Sequence, residues 1–203
     1  MDAPETPDQA GSPSGAALQT DPVRIVPYDS NWPRQFETVA AELRDALGPL
    51  LVHVEHIGST AVPGLAAKPV IDVMGFVPTF QAGFAAVEPL VALGFESMGE
   101  FGIPGRHLFT RSRQDIRTHN LHVFAASEGP GGDQPRHELV FRDALRMHPS
   151  VAEEYGALKV RLAERFRNHR AAYTEAKTAF ITSVVARAAE TDPLAAPQVE
   201  TQG

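Results

Sequence analysis

Cysteine is absent from the 203 residues, which excludes disulfides, thiolate metal sites and a cysteine nucleophile. Aromatic residues are few, 7% with a single Trp, and there is no overall excess of positive charge, the formal net charge being −7. Both absences argue against a general nucleic-acid binder. No apolar run is long enough to cross a bilayer. The first residues, Met1-Asp2-Ala3-Pro4-Glu5, lack the basic start and apolar stretch of a secretory signal. The expectation is a cytoplasmic protein with no membrane partner. What is present, 43% hydrophobic and 21% charged residues, suits one soluble globular domain.

Charge is unevenly spread. From Arg106 to Arg187 there are 14 Lys/Arg against 9 Asp/Glu, so the second half can present a basic wall to an anionic ligand, or merely solvated helix faces. Residues 1–22 and 190–203 are poor in residues to bury and read as a disordered leader and tail, leaving a domain over 23–189.

Within it, 23–26 suggests a short strand, and Phe36, Val39, Ala40, Leu43 and Leu47 recur at helical spacing over 33–47. Asp29 to Asn31 can cap that helix, with Pro33 in its first turn and Trp32 as a packing anchor. Strands are expected over 51–57, 68–77, 95–98, 107–111 and 119–125, and helices over 80–93, 136–145, a segment opened by a Ser150/Glu153 capping box, and 170–188. The fold class is α+β, with a mixed sheet of about five strands flanked by helices and a helical C-terminal half.

Chemistry concentrates in the stretch His56 to Met74. A strand ends in Gly58-Ser59-Thr60, where a missing Cβ lets backbone N–H groups approach phosphate oxygens and hydroxyls add contacts; a tight turn capped by Ser59 is compatible with the same residues. Asp72 lies on the next strand between Ile71 and Val73, facing the same way as Met74. It can hold a Mg²⁺ or orient a hydroxyl nucleophile, or it can be a structural carboxylate bonded to Thr60 or loop amides. Lys68 can reach a triphosphate or pair with Asp72. Arg106 follows a glycine-rich loop and suits phosphate clamping as a mobile side chain. His119 and His122 are three apart and point to opposite faces of an extended strand; His122 is the better metal ligand or general base. His56 is placed to shape the turn by hydrogen bonding, with Glu55 on the opposite face. Arg142 and Arg146 share a helix face, as do Tyr173 and Lys177, and with Lys159 they form the candidate basic wall.

The ordered segments Pro27-Tyr28-Asp29 with Trp32, His56 to Leu65 with Lys68 to Asp72, Arg106 to Phe109, Leu121-His122-Val123, Phe141 to Arg146 with His148-Pro149, Tyr155 with Leu158-Lys159, and Tyr173 with Lys177 resemble the GrpB family. The match covers about Val23 to Ala188. The resemblance implies the nucleotidyltransferase superfamily fold, in which a Gly-Ser turn precedes a strand bearing two carboxylates one residue apart, and a third carboxylate comes from a later strand. Here Asp72 is the first, Met74 stands at the second, and a third on 119–125 meets His119 or His122. Some relatives are domains appended to dephospho-CoA kinase.

The resemblance therefore implies an enzyme that binds ATP or another nucleoside triphosphate with Mg²⁺ and transfers a nucleotidyl or adenylyl group to a small-molecule acceptor, a carboxylate being one class to activate. In that reading Asp72, His122 and Lys68 are catalytic, Asp72 and His122 hold metal, and Gly58, Ser59, Thr60, Arg106, Tyr173 and Lys177 bind the nucleotide. The second reading is an inactive module of the same fold that holds a nucleotide or coenzyme-A-like ligand, and Met74 favours it.

Overall fold

The structure is a computed structural model that describes residues 22–127 and 132–191. The leader expected over 1–22, but for its last residue, and the tail expected over 190–203 beyond Thr191 lie outside the described residues.

Helix α1 (Trp32–Leu47) forms because Phe36, Val39, Ala40, Leu43 and Leu47 share one face, and all are buried. Its first turn is stabilised differently from the expectation. Asn31 makes no side-chain cap, and Asp29 Oδ1 instead accepts from the Asn31 N–H at 2.8 Å, while Pro33 occupies the first turn. Trp32, 2% exposed, anchors the helix entry with Tyr28 edge-on at 5.3 Å.

Five strands follow: β1 (His53–Ile57), β2 (Ile71–Val77), β3 (Glu96–Ser97), β4 (His107–Arg113) and β5 (Ile116–Ala125). They form one mixed sheet in the order β1-β2-β5-β4-β3, with β2 and β5 parallel and the other neighbours antiparallel. The expected first strand at 23–26 reduces to a single bridge between Val26 and Ala67, since Pro27 next to it has no N–H for a ladder.

The helix expected over 80–93 is two short ones, α2 (Phe80–Ala85) and α3 (Val87–Ala92). Pro89 cannot donate to the Ala85 carbonyl, so the ladder breaks there. Thr79 caps α2, its hydroxyl accepting from Ala82 N–H at 3.2 Å. The C-terminal half holds α4 (Gln134–Met147), α5 (Pro149–Arg165), α6 (Arg170–Glu175) and α7 (Thr178–Thr191). No Ser150 capping box forms: Pro149 takes the first helical position, which moves the N-cap from Ser150 to His148, two residues earlier. The expected helix over 170–188 is likewise interrupted, with Lys177 N–H turning back to Thr174 O at 3.2 Å between α6 and α7.

The alternation along β2 decides which layer touches which face. Ile71 and Val73 join α1, α3, Phe109, Leu121 and Val123 in the main core. Met74 joins Ile57 and Phe124 on the opposite face, with Leu139 of α4 packed against them. Asp72 shares that second face, so the C-terminal helices close over it. No helix among the described residues is long and apolar enough to cross a membrane.

Candidate functional site

Gly58 closes β1 at φ 69°, ψ −171°, a conformation open essentially to glycine alone. The register pairs Ile57 with Asp72, so the turn lies directly against that carboxylate. A Cβ on Gly58 would stand 2.5 Å from Asp72 Oδ2. Ser59–Ala61 then makes one tight helical turn, closed by Ala61 N–H to Gly58 O and Val62 N–H to Ser59 O, both 3.3 Å.

On its other side β2 pairs with β5, setting Asn120 opposite Asp72 and His122 opposite Met74. Asn120 Nδ2 donates to Asp72 Oδ1 at 2.7 Å, which fixes the carboxylate and leaves Oδ2 toward the turn. The structural alternative, in which Thr60 bonds Asp72, is not what forms. Thr60, 1% exposed, donates to Val70 O at 3.3 Å and pairs with His56 Nε2 at 3.0 Å. His56 stacks on Phe36 at 4.7 Å and shapes the turn as expected. Thr60 therefore belongs to the frame of the turn, on the side away from Asp72.

Helices α5 to α7 bring cations to Asp72. Lys159 is 2% exposed, donates to Ala66 O at 2.5 Å and lies 4.8 Å over the Tyr155 ring. Tyr155 is hydrogen-bonded to the Ser59 side chain, which ties α5 to the turn. Lys177 sits 4.6 Å over the Tyr173 ring. Burial pushes Lys159 down to about 7, helped by Lys177 and opposed by Asp72. Burial pushes Lys177 down to about 8, with Asp72 opposing and Arg170 assisting. Lys68 falls to about 8 through burial and then Arg170, with Lys177 and Arg117 adding to it and Asp72 opposing. Three lysines thus share the field of one carboxylate.

A cavity of about 700 Å³ opens from this cluster between α4 and α7. Gly58, Ser59, Asp72, Tyr155 and Lys177 line its polar end; Phe141, Leu145, Ile181 and Val185 line an apolar flank. Half-buried Glu138 also faces it, its carboxyl pushed up by burial and one oxygen held by Gln134 Nε2 at 3.0 Å. A larger groove of about 1040 Å³ lies behind the turn, between α1 and α5, and includes neither Asp72 nor any of the three lysines.

Of the residues singled out from sequence, Gly58, Ser59, Asp72 and Lys177 meet in one cavity, and Lys68 joins them through its electrostatic contact with Asp72. Tyr173 supports Lys177. Arg106 is not mobile: 5% exposed, it donates to Glu100 O at 3.1 Å and to Phe101 O at 2.7 Å, which ties down its own loop. Its remaining Nη1 faces His122 Nδ1 at 3.5 Å. A guanidinium only donates, so the Nδ1 facing it can only accept, and the fixed cation beside that nitrogen opposes a metal ion there. His119 lies on the opposite face beside Arg111 and Glu42, as the three-residue spacing requires. Arg142 is held by Glu55 and the His56 carbonyl at 2.7 and 2.9 Å and by Asp143, and Arg146 by Ala61 O at 3.0 Å, so both arginines brace β1 and the turn.

Sequence reasoning places none of Asn120, Tyr155 and Glu138 in the site: it reads Tyr155 as part of its helix's apolar face and Glu138 as a surface ion-pair partner for the α4 arginines. Strand alternation from His122 was a usable signal for Asn120, and the four-residue spacing of Tyr155 and Lys159 was one for the α5 pair.

The donor set was tested against the Mg²⁺ that the resemblance implies. Asp72 offers one oxygen, Glu138 in the same cavity is pushed toward its protonated form by burial, Met74 is fully buried among Ile57 and Phe124, and no cluster of three or more His, Cys, Asp or Glu among the described residues is arranged to hold a metal. Like unit charges 4 Å apart cost about 4 kcal/mol at an effective dielectric of 20, and a dication beside an ammonium costs twice that. The residues present do not fit a protein-held divalent cation.

The family model described as GrpB protein matches residues 22–187. The chain belongs to the GrpB family. Among relatives of this GrpB chain, UPF0157 protein PA4798 of Pseudomonas aeruginosa is 35% identical over 93% of this chain and 76% of its own length. UPF0157 protein YqkA of Bacillus subtilis is 35% identical over 78% of this chain; the match spans 45% of YqkA, less than half that relative. The crystal structure of conserved protein GrpB from Enterococcus faecalis has a TM-score of 0.76 at 34% identity, covering 83% of this chain and 98% of that one. The mixed sheet of about five strands flanked by helices, expected from sequence, is thus a fold shared with a solved GrpB structure.

Three buried or half-buried histidines are expected to make this GrpB domain acid-sensitive. His56, His119 and His122 are each held down to about 4, first by burial and then by nearby arginines. They are neutral when folded, whereas the unfolded chain takes up protons below about 6.5. Their contribution is complete above that pH and is lost as pH falls toward 4. Urea midpoints should fall between neutral and mildly acidic pH, and His56→Gln should flatten the decline.

Proposed function

We propose that this chain binds a nucleoside triphosphate such as ATP and transfers its nucleotidyl group to a small-molecule acceptor. The observation that carries the reading is that Lys177, Asp72 and the Gly58-Ser59 turn line one cavity with an apolar flank, while Lys68 and Lys159 share the field of the same carboxylate. The lysines and turn amides suit the phosphates, and the flank between Phe141 and Ile181 suits a base. The acceptor oxygen attacks the α-phosphorus, the bond to the β-phosphate oxygen breaks, and pyrophosphate leaves. Asp72 Oδ2 takes the acceptor's proton while Asn120 holds Oδ1. Lys68 and Lys177 offset the charge that develops on the leaving pyrophosphate. Arg106 and His122 support the wall behind Asp72.

A second reading, a non-catalytic module that holds a nucleotide or a coenzyme-A-like ligand, is favoured by the apolar burial of Met74 and by Asn120 at the sheet position beside Asp72. The test is pyrophosphate release from ATP in the presence of mixed hydroxyl and carboxylate acceptors, together with calorimetric titration. Asp72→Asn is expected to lower release by roughly 10²-fold while ATP binding persists. Binding without release from any acceptor selects the module; no binding at all removes both readings.

A further inference from the structure

We propose that this pocket takes its polyphosphate free of divalent metal, the ammonium group of Lys177 in its lining, backed by Lys159 of α5, standing where a carboxylate-held metal pair would otherwise neutralise it. For the identity of the ligand the proposal rests on the nucleotide reading above. For the mode of binding it rests on the arrangement of the side chains.

A metal pair needs several carboxylate oxygens converging on one point. Here the turn meets a single carboxylate, and one of its oxygens already accepts the Asn120 amide at 2.7 Å. The position two residues on, where a second acid would face the same way, is Met74, fully enclosed by Ile57 and Phe124. His122 spends Nδ1 on Arg106. The sheet side of the site therefore cannot gather ligands round a cation.

The helix side supplies cations of its own. Lys159 and Lys177 come from α5 and from the break between α6 and α7, two separate pieces of chain brought together over Asp72. Each is held in place: Lys159 by the Ala66 carbonyl and the face of Tyr155, Lys177 by the face of Tyr173. An ammonium resting on an aromatic face keeps donors for a further partner and loses little freedom when an anion arrives. A divalent ion entering beside Asp72 meets the Lys177 ammonium in the same lining. A free polyphosphate meets that positioned donor and a turn whose missing Cβ leaves room beside Asp72. Asp72 then serves as the counter-charge of the empty site.

The experiment is calorimetric titration of the full chain with inorganic tripolyphosphate and with ATP, each in EDTA and in excess MgCl₂, on wild type, Lys159→Met and Lys177→Met. Both ligands should bind in EDTA, and Mg²⁺ should weaken them by roughly tenfold as it takes up phosphate charge. Each lysine variant should lose roughly tenfold in EDTA. Lys177 is the less enclosed of the two, so its variant informs if Lys159→Met does not fold. Binding of either ligand that requires Mg²⁺ overturns the metal-free proposal and leaves the nucleotide reading standing. Tripolyphosphate bound in EDTA as tightly as ATP supports the proposal and removes the nucleotide from the reading. No binding under any condition ends both.

Discussion

Gly58→Ala is expected to destabilise the domain by ~3 kcal/mol and to abolish nucleotide binding in whatever fraction still folds. Two separate costs add at this residue. A φ of 69° with ψ near −171° is barred to a residue with a Cβ, and the new methyl would stand 2.5 Å from Asp72 Oδ2 and 3.0 Å from Asp72 Cβ. The second distance matters more, because the Asp72 Cβ is fixed to the β2 backbone and cannot swing aside as a side-chain tip can. Relief must come from parting β1 and β2 or from turning Asp72 away from Asn120, and either change dismantles the site. Gly64 is the control. It too has a positive φ, 79°, but no atom lies within 4 Å of its built Cβ, so Gly64→Ala carries backbone strain alone. Denaturant melts should show Gly58→Ala falling well below Gly64→Ala, and only Gly58→Ala should lose ATP binding entirely.

Met74→Asp, which restores on paper the pair of acids one residue apart, is expected to cost ~4 kcal/mol and to give no Mg²⁺-dependent activity. Met74 has no exposed surface and fills the space between Ile57, Phe124 and Leu139. A carboxylate there loses its water among the apolar side chains of Ile57, Phe124 and Leu139. Shrinking the side chain also leaves a void. Met74→Leu, of similar volume, should stay within ~1.5 kcal/mol of wild type by thermal melt. A Met74→Asp protein that folds normally and gains metal-dependent turnover would show that this face of β2 is still built for metal.

The sheet could be read from sequence because its strands are local apolar runs, and the period of two placed Asp72 and Met74 together on one face. Helix interruptions were harder. Pro89 was visible, yet the apolar spacing of Phe84, Val87, Leu90 and Val91 continues through it, and the split into α2 and α3 depends on one missing N–H. The break at Lys177 has no proline or glycine to announce it, although it is what turns that lysine toward Asp72. The Gly-Ser turn and its carboxylate were legible because they lie close together in the chain. The lysine cluster was not, since Lys68, Lys159 and Lys177 meet only when α5 to α7 close over the sheet. Arg106 shows the opposite error. A glycine-rich loop suggested mobility, but three of those glycines, Gly99, Gly102 and Gly105, take positive φ so that the loop's carbonyls can turn inward onto the guanidinium.

The most direct test of a nucleotide site at this turn is a crystal structure of the full chain with a non-hydrolysable ATP analogue. The account predicts the phosphates beside Gly58 and Ser59, within hydrogen-bond reach of Lys159 and Lys177, and the base between α4 and α7. An analogue seated in the larger groove behind the turn, among Tyr28, Phe36 and Gly156, with the lysines still bonded as they are now, would contradict it.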